Sequence, residues 1–218
     1  MADTHILSRA PAEHFASYEH QHDAAALGMW VFLITEVMFF GGLFLVYAVG
    51  RMLHSTAFSA ASSELDATLG GVNTAVLIVS SLSMAFAVHA AQTGNSRGLI
   101  RFLALTLVLG CVFLGIKAYE YYDKYVHHLL PGRNFSYSGT DAAGAEQFFS
   151  LYFAMTGVHA LHMLVGAGLL IALMIQAARG RFTESYYNPV EMTGLYWHFV
   201  DIIWIFLFPL LYLIDLQP

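Results

Sequence analysis

The sequence predicts an all-α, polytopic membrane protein: a bundle of five transmembrane helices with its N-terminus cytoplasmic and its C-terminus outside. Three observations carry that class. Hydrophobic residues make up 58% of the 218-residue chain and charged residues only 11%, with a mean hydropathy of +0.61; soluble domains average about 25% charged residues. Five runs are apolar over the roughly 20 residues a helix needs to cross the hydrocarbon. Each run is continuously apolar rather than alternating over about ten residues, which selects helices over barrel strands.

The elements follow in order. Residues 1–26 read as a polar, His-rich arm, with no short apolar core and small-residue cleavage site of a signal peptide. Residues 27–218 form one membrane domain with spans at Leu27–Val49, Val72–Ala91, Ile100–Tyr119, Phe148–Ile175 and Gly194–Ile214. The fourth run is long, so it tilts or projects beyond the hydrocarbon. Pro209 should bend or weaken the fifth locally. Aromatic residues near span ends (Trp30, Tyr47, Tyr119, Tyr121, Tyr122, Tyr196, Trp197 and Tyr212) suit interfacial belts. Gly41, Gly42, Gly157, Gly166 and Gly168 would allow close helix approach.

Orientation rests on the basic residues. With five spans, Arg9, Arg97, Arg101, Arg179 and Arg181 fall on one side, against Arg51, Lys124 and Arg133 on the other, with Lys117 just inside a helix end. The positive-inside rule then places the N-terminus in the cytoplasm. Composition also excludes several classes. The single cysteine, Cys111, rules out an internal disulfide and a multi-thiolate metal site. A formal charge of −6 built from few charges suggests no nucleic-acid surface. Neither a phosphate-binding glycine loop nor a nucleophile elbow is present.

Ionisable residues inside the runs are the candidates for function, since a charge at a helix centre costs roughly 2.5–3.5 kcal/mol on insertion scales. Glu36 sits nine residues past Leu27, roughly 14 Å along the helix. His159 and His162 are spaced i, i+3, on one helix face. His198 and Asp201 share that spacing and could form an imidazole–carboxylate unit by themselves. Lys117 and Glu120 repeat it near a span end, where an interfacial ion pair worth under roughly 1 kcal/mol is expected. Histidines in a membrane also serve as haem or copper ligands. A b-type cytochrome using His159, His162 and His198 is therefore an alternative, and a proton-coupled transporter using Glu36 and Asp201 is another.

The motifs "GMWVFLITEVMFFGGLF", "NTAVLIVSS", "KAYEY", "FFSLYFAMTGVHALHMLVG" and "YWHFVDIIWIFLF" occur in this order. Together they resemble subunit III of the haem–copper oxidases over about Leu27–Leu213, the cytochrome c oxidase branch first and the quinol oxidases next. The resemblance implies a non-catalytic respiratory subunit with no cofactor or metal of its own, haem and copper lying in partner subunits I and II. It implies packing against subunit I, phospholipid bound between helices, and support of proton uptake during oxygen reduction coupled to proton translocation. A larger respiratory supercomplex is a further candidate partner, which the sequence leaves open. It also maps the family's buried glutamate onto Glu36, its paired histidines onto His159 and His162, its aromatic–His–Asp–Trp block onto Trp197, His198, Asp201 and Trp204, and its "EY" glutamate onto Glu120. Relatives with seven spans have two further N-terminal helices; the five-span form implies a bacterial plasma membrane and a lipid cleft completed by another chain. Glu36, His159, His162, His198 and Asp201 are expected to meet in one interior cluster.

Overall fold

The computed structural model describes residues 17–213 apart from 134, 140 and 185. Its helices are α1 (Tyr18–Leu53), α2 (Ser55–Ser62), α3 (Ala67–Gln92), α4 (Ser96–Val126), α5 (Ala142–Ala178) and α6 (Asn188–Tyr212). All but α2 are long and apolar enough to cross a membrane. The helices outrun the apolar runs because capping residues, not hydrophobicity, set where they begin. Ser17 accepts from the His20 backbone N–H, Asp66 from Thr68 and Leu69, Asn95 from Gly98 and Asp141 from Gly144. Such caps are worth about 0.5–2 kcal/mol each. The polar arm expected over 1–26 is thus helical from Tyr18, while residues 1–16, Arg9 among them, and Ile214 lie outside the described residues. Helix α2 falls in the connection after the first span, where the sequence reading placed no element.

Helices α3, α4, α5 and α6 form a ring in which each packs on its two neighbours; α1 lies against α5 and α6, and α2 against α5. Hydroxyl and amide side chains fix the register. Asn73, Ser80 and Ser83 on α3 donate to the Phe113, Thr106 and Phe102 carbonyls of α4. On the other flank of α3, the Trp204 and Trp197 indole N–H groups donate to Thr74 and Ser80. A hydrogen bond between membrane helices is typically worth about 0.6 kcal/mol and at most about 1.7 kcal/mol, so it is their number that fixes the register.

The core runs down the centre of this ring. Trp197 is clamped by two glycines: a Cβ at Gly110 of α4 or Gly166 of α5 would stand 2.9 Å from its indole. Next come Phe113, His159 and Trp204, with ring centroids 4.8–5.4 Å apart. Two expectations change here. Tyr47, Tyr196, Trp197 and Tyr212 are not belt residues but buried packing groups, whereas Trp30, Tyr119 and Tyr122 are exposed. Of the glycines singled out, only Gly166 meets a close neighbour; Gly41, Gly42 and Gly168 face open space.

Contacts between connections assign the two ends of the bundle. His22 lies 3.5 Å from Glu191, and the turn at Gly94 abuts Glu184, so the start of α1, the α3–α4 turn and the α5–α6 loop share one end. At the opposite end Tyr47 and Ser62 donate to the Leu210 and Leu211 carbonyls, two of the acceptors left open where α6 stops. There too His54 Nδ1 lies 2.8 Å from Asp141 Oδ2.

Asp141 is held below the usual carboxylate range by the Gly144 N–H and then by His54. A lowered folded value means that its contribution is present above the ordinary carboxylate range and is lost as pH falls through the lowered value. Asp141→Asn is expected to flatten the decline of the unfolding temperature below about pH 4. An acid limb identical to that of the unsubstituted protein would exclude this role.

Candidate functional site

The ionisable residues form three separate sites rather than one cluster, because they leave their helices on different sides. The first joins α1 to α5. Glu36 Oε2 lies 3.1 Å from His162 Nε2, and His162 Nδ1 lies 2.9 Å from the Val158 carbonyl. A carbonyl only accepts, so Nδ1 carries a proton and donates. Nε2 and Oε2 must then share one further proton: a neutral carboxylic acid donates to neutral imidazole, or imidazolium donates to carboxylate. Phe40 packs on the His162 ring, and Tyr196 donates to the His162 carbonyl. The contact fixes α1 to the ring beside the α1–α6 groove.

Glu36→Gln keeps a donor toward Nε2, whereas Glu36→Ala leaves that nitrogen bare at a cost of about 1–3 kcal/mol. Retention of the chain in a purified complex should therefore be near normal for the glutamine variant and reduced for the alanine one. Equal losses in both would show that the hydrogen bond is not what matters.

The second site lies between α3 and α6. His198 Nδ1 is 2.7 Å from Ser81 Oγ. Asp201 is 3% exposed beside Ser81, yet among the described residues neither carboxylate oxygen has a well-formed hydrogen bond. The imidazole–carboxylate unit expected from their i, i+3 spacing does not form, since Ser81 of the neighbouring helix takes the imidazole instead.

The third site was expected as an exposed interfacial pair and is instead buried. Lys117 and Glu120 are 3% and 4% exposed, with Nζ 2.9 Å from Glu120 Oε2. Lys117 donates to the hydroxyls of Tyr152 (3.1 Å) and Tyr212 (2.7 Å), and Tyr212 donates to Glu120 Oε1 (2.9 Å). The rings of Tyr121, Tyr152, Trp204 and Tyr212 surround the ammonium at 4.9–5.5 Å, a cation–π cage. The pair is dry because α4 continues for two more turns past Lys117 and two tyrosines from α5 and α6 solvate it. Tyr152 and Tyr212 were not singled out as partners; span topology already put them at the same end as Lys117, which was the available signal.

His159 belongs to none of these. It is 1% exposed, wedged between Phe113 and Trp204, and neither ring nitrogen has a partner among the described residues. The three histidines of the cytochrome alternative therefore have different surroundings: one packed in aromatic rings, one on Glu36 and one on Ser81. Among the described residues no three His, Cys, Asp or Glu side chains are grouped as a metal site. Trp197 and Trp204 act in the packing column.

The remaining feature is a groove of about 500 Å3 between α1 and α6, lined by Trp30, Leu33, Val37, Phe40, Phe199 and Ile202 among others. Its walls are almost wholly hydrocarbon and it opens on the membrane-facing surface.

The chain has counterparts of similar sequence. The family model for cytochrome c oxidase subunit III matches residues 13–215. A cytochrome c oxidase subunit 3 of Thermostichus vulcanus is 33% identical over 199 residues, 90% of this chain and 91% of the relative. A quinol oxidase subunit 3 of Bacillus spizizenii is 30% identical over 205 residues, 92% and 94% of the two chains. With the match running from the start of the described helices to the end of α6, the chain belongs to the cytochrome c oxidase subunit III family.

Proposed function

We propose that this chain works as a structural and proton-supporting subunit, with oxygen reduction carried out by haem and copper in its partner subunits I and II. Family membership makes it a multi-pass subunit III of a terminal oxidase complex; the reading beyond that rests on what its polar groups are used for. The observation that carries it is the inward use of these groups: Lys117, Glu120, Glu36 and His162 are all engaged in ties between this chain's own helices. The groove between α1 and α6 suits acyl chains, which need apolar walls and no hydrogen-bonding partner. Glu36 and His162, sharing one proton at its edge, would supply or buffer protons for uptake by subunit I. Near-equal likeness to cytochrome c and quinol oxidase subunits fits a subunit that does not bind the electron donor.

The charge balance supports a cytoplasmic N-terminus, and the five-span form supports a bacterial plasma membrane. Lys117 and Lys124 are spent on internal contacts, leaving Arg51 and Arg133 at their end against Arg97, Arg101, Arg179 and Arg181 at the other. Affinity purification in mild detergent, with mass spectrometry of the accompanying chains and extracted lipids, should recover a haem–copper subunit I and phospholipid. Recovery without subunit I would overturn the reading, and a Soret band retained by the isolated chain would favour a cytochrome in its place.

A further inference from the structure

We infer that the α3–α6 face centred on His198 receives a transmembrane helix of another subunit, which offers a hydroxyl or amide side chain to His198 near mid-membrane. This rests on the reading of the chain as part of an oxidase complex and specifies which face of it is covered and by what.

His198 lies against Ser81 of α3, nine residues past the start of the apolar run at Val72, about 14 Å along a helix and therefore close to the middle of a hydrocarbon layer about 30 Å thick. Its Nδ1 is bonded to Ser81, but Nε2 makes no hydrogen bond among the described residues and the ring is only half-buried. The surrounding surface is a shallow groove of about 370 Å3 lined by Ile78, Ser81, Leu82, Asp201 and Ile202. Around it Ile78, Leu82 and Ile205 are 54%, 55% and 47% exposed. Beside it, Asp201 keeps two oxygens without a well-formed hydrogen bond among the described residues.

The unpaired imidazole nitrogen chooses between the possible occupants. Acyl chains carry no donor or acceptor, and lipid headgroups sit about half a bilayer away. A polar atom facing hydrocarbon is costly, and membrane proteins pair such groups with a neighbouring helix. If Ser81 donates to Nδ1, then Nε2–H needs an acceptor; if Ser81 accepts, Nε2 needs a donor. A hydroxyl or amide side chain answers both cases. The contrast with other exposed faces supports the choice: around Leu161, Leu164 and Val165 on α5 the surface is apolar, as lipid contact requires.

The test uses the intact complex in its own membrane. A diazirine-bearing side chain is placed at position 78, which lines this groove and not the α1–α6 groove, in one variant and at position 164 in another; each is irradiated, and the adducts are mapped by mass spectrometry. The expected result is a covalent adduct from position 78 to a transmembrane peptide of another subunit, and lipid adducts from position 164. Lipid or water adducts alone at position 78, or a subunit adduct at 164 in place of 78, would overturn the inference while leaving the subunit III reading intact. Failure of the unsubstituted chain to accompany subunit I would instead remove the reading beneath it. A His198→Phe variant keeps the ring and loses both nitrogens; its detergent dissociation from the complex should rise about tenfold, with the melting temperature of the isolated chain showing that it still folds. An unchanged dissociation in a folded variant would likewise count against the contact.

Discussion

Glu120→Ala is expected to destabilise the bundle by about 3–5 kcal/mol, because it leaves the Lys117 ammonium buried with no counter-charge. For a chain of this size that corresponds to a fall in melting temperature on the order of 10 °C. The magnitude follows from where the pair sits. An exposed i, i+3 pair is worth under roughly 1 kcal/mol and could be cut with little effect; this one is 3% and 4% exposed and holds α4, α5 and α6 through Tyr152 and Tyr212. Removing both charges by Lys117→Met with Glu120→Leu should recover more than half of the loss, since each substitution relieves the penalty left by the other. The remainder reflects the tyrosine hydroxyls that lose their partners. Thermal unfolding of the two single variants and the double variant decides the matter. Losses that simply add would mean the two residues do not act as a pair.

The second large effect centres on Trp197. Truncation to alanine empties the middle of the ring and also removes the bond to Ser80, so a loss of about 3–5 kcal/mol is expected. Added bulk acts at the same point from the opposite direction. A methyl at Gly110 or Gly166 would meet the indole at 2.9 Å, and overpacking of this kind costs about 1–3 kcal/mol. Gly166→Ala combined with Trp197→Phe should be less harmful than the sum of the two, because the smaller ring makes room for the methyl. A sum that is simply additive in the melting temperature would show that the glycine is not there to admit the indole.

The spans and their order were legible because hydrocarbon imposes length and continuous apolarity on any helix that crosses it. Helix ends were less so. The runs of Ser17, Asp66, Asn95 and Asp141 are polar, and a hydropathy reading stops before reaching the caps that start the helices. Helix α2, "STAFSAAS", carries too few apolar residues to register. The depth of Glu36 and of the fourth span could be compared from sequence, but the rotation of each helix about its axis could not. Rotation is what sends His162 toward α1, His159 into the centre and His198 toward α3, although His159 and His162 are only three residues apart. Lys117 was misjudged for a related reason: its position along the helix suggested escape to water, and only the packing of Tyr152 and Tyr212 around it removes that option.

The bonds that close the far end of the bundle also constrain the order of its biogenesis. Tyr47 and Ser62 reach the Leu210 and Leu211 carbonyls across 163 and 149 residues of chain, and Lys117 waits for Tyr212, 95 residues later. Synthesis runs from the N-terminus, so each early helix enters the membrane long before its partner exists. Until the 25-residue α6 has been released, α1 has nothing to hold it from one side and Lys117 lacks the Trp204 and Tyr212 half of its cage. Quality control by membrane proteases then has a clear mark to read, and a chain truncated before α6 should be degraded rather than assembled.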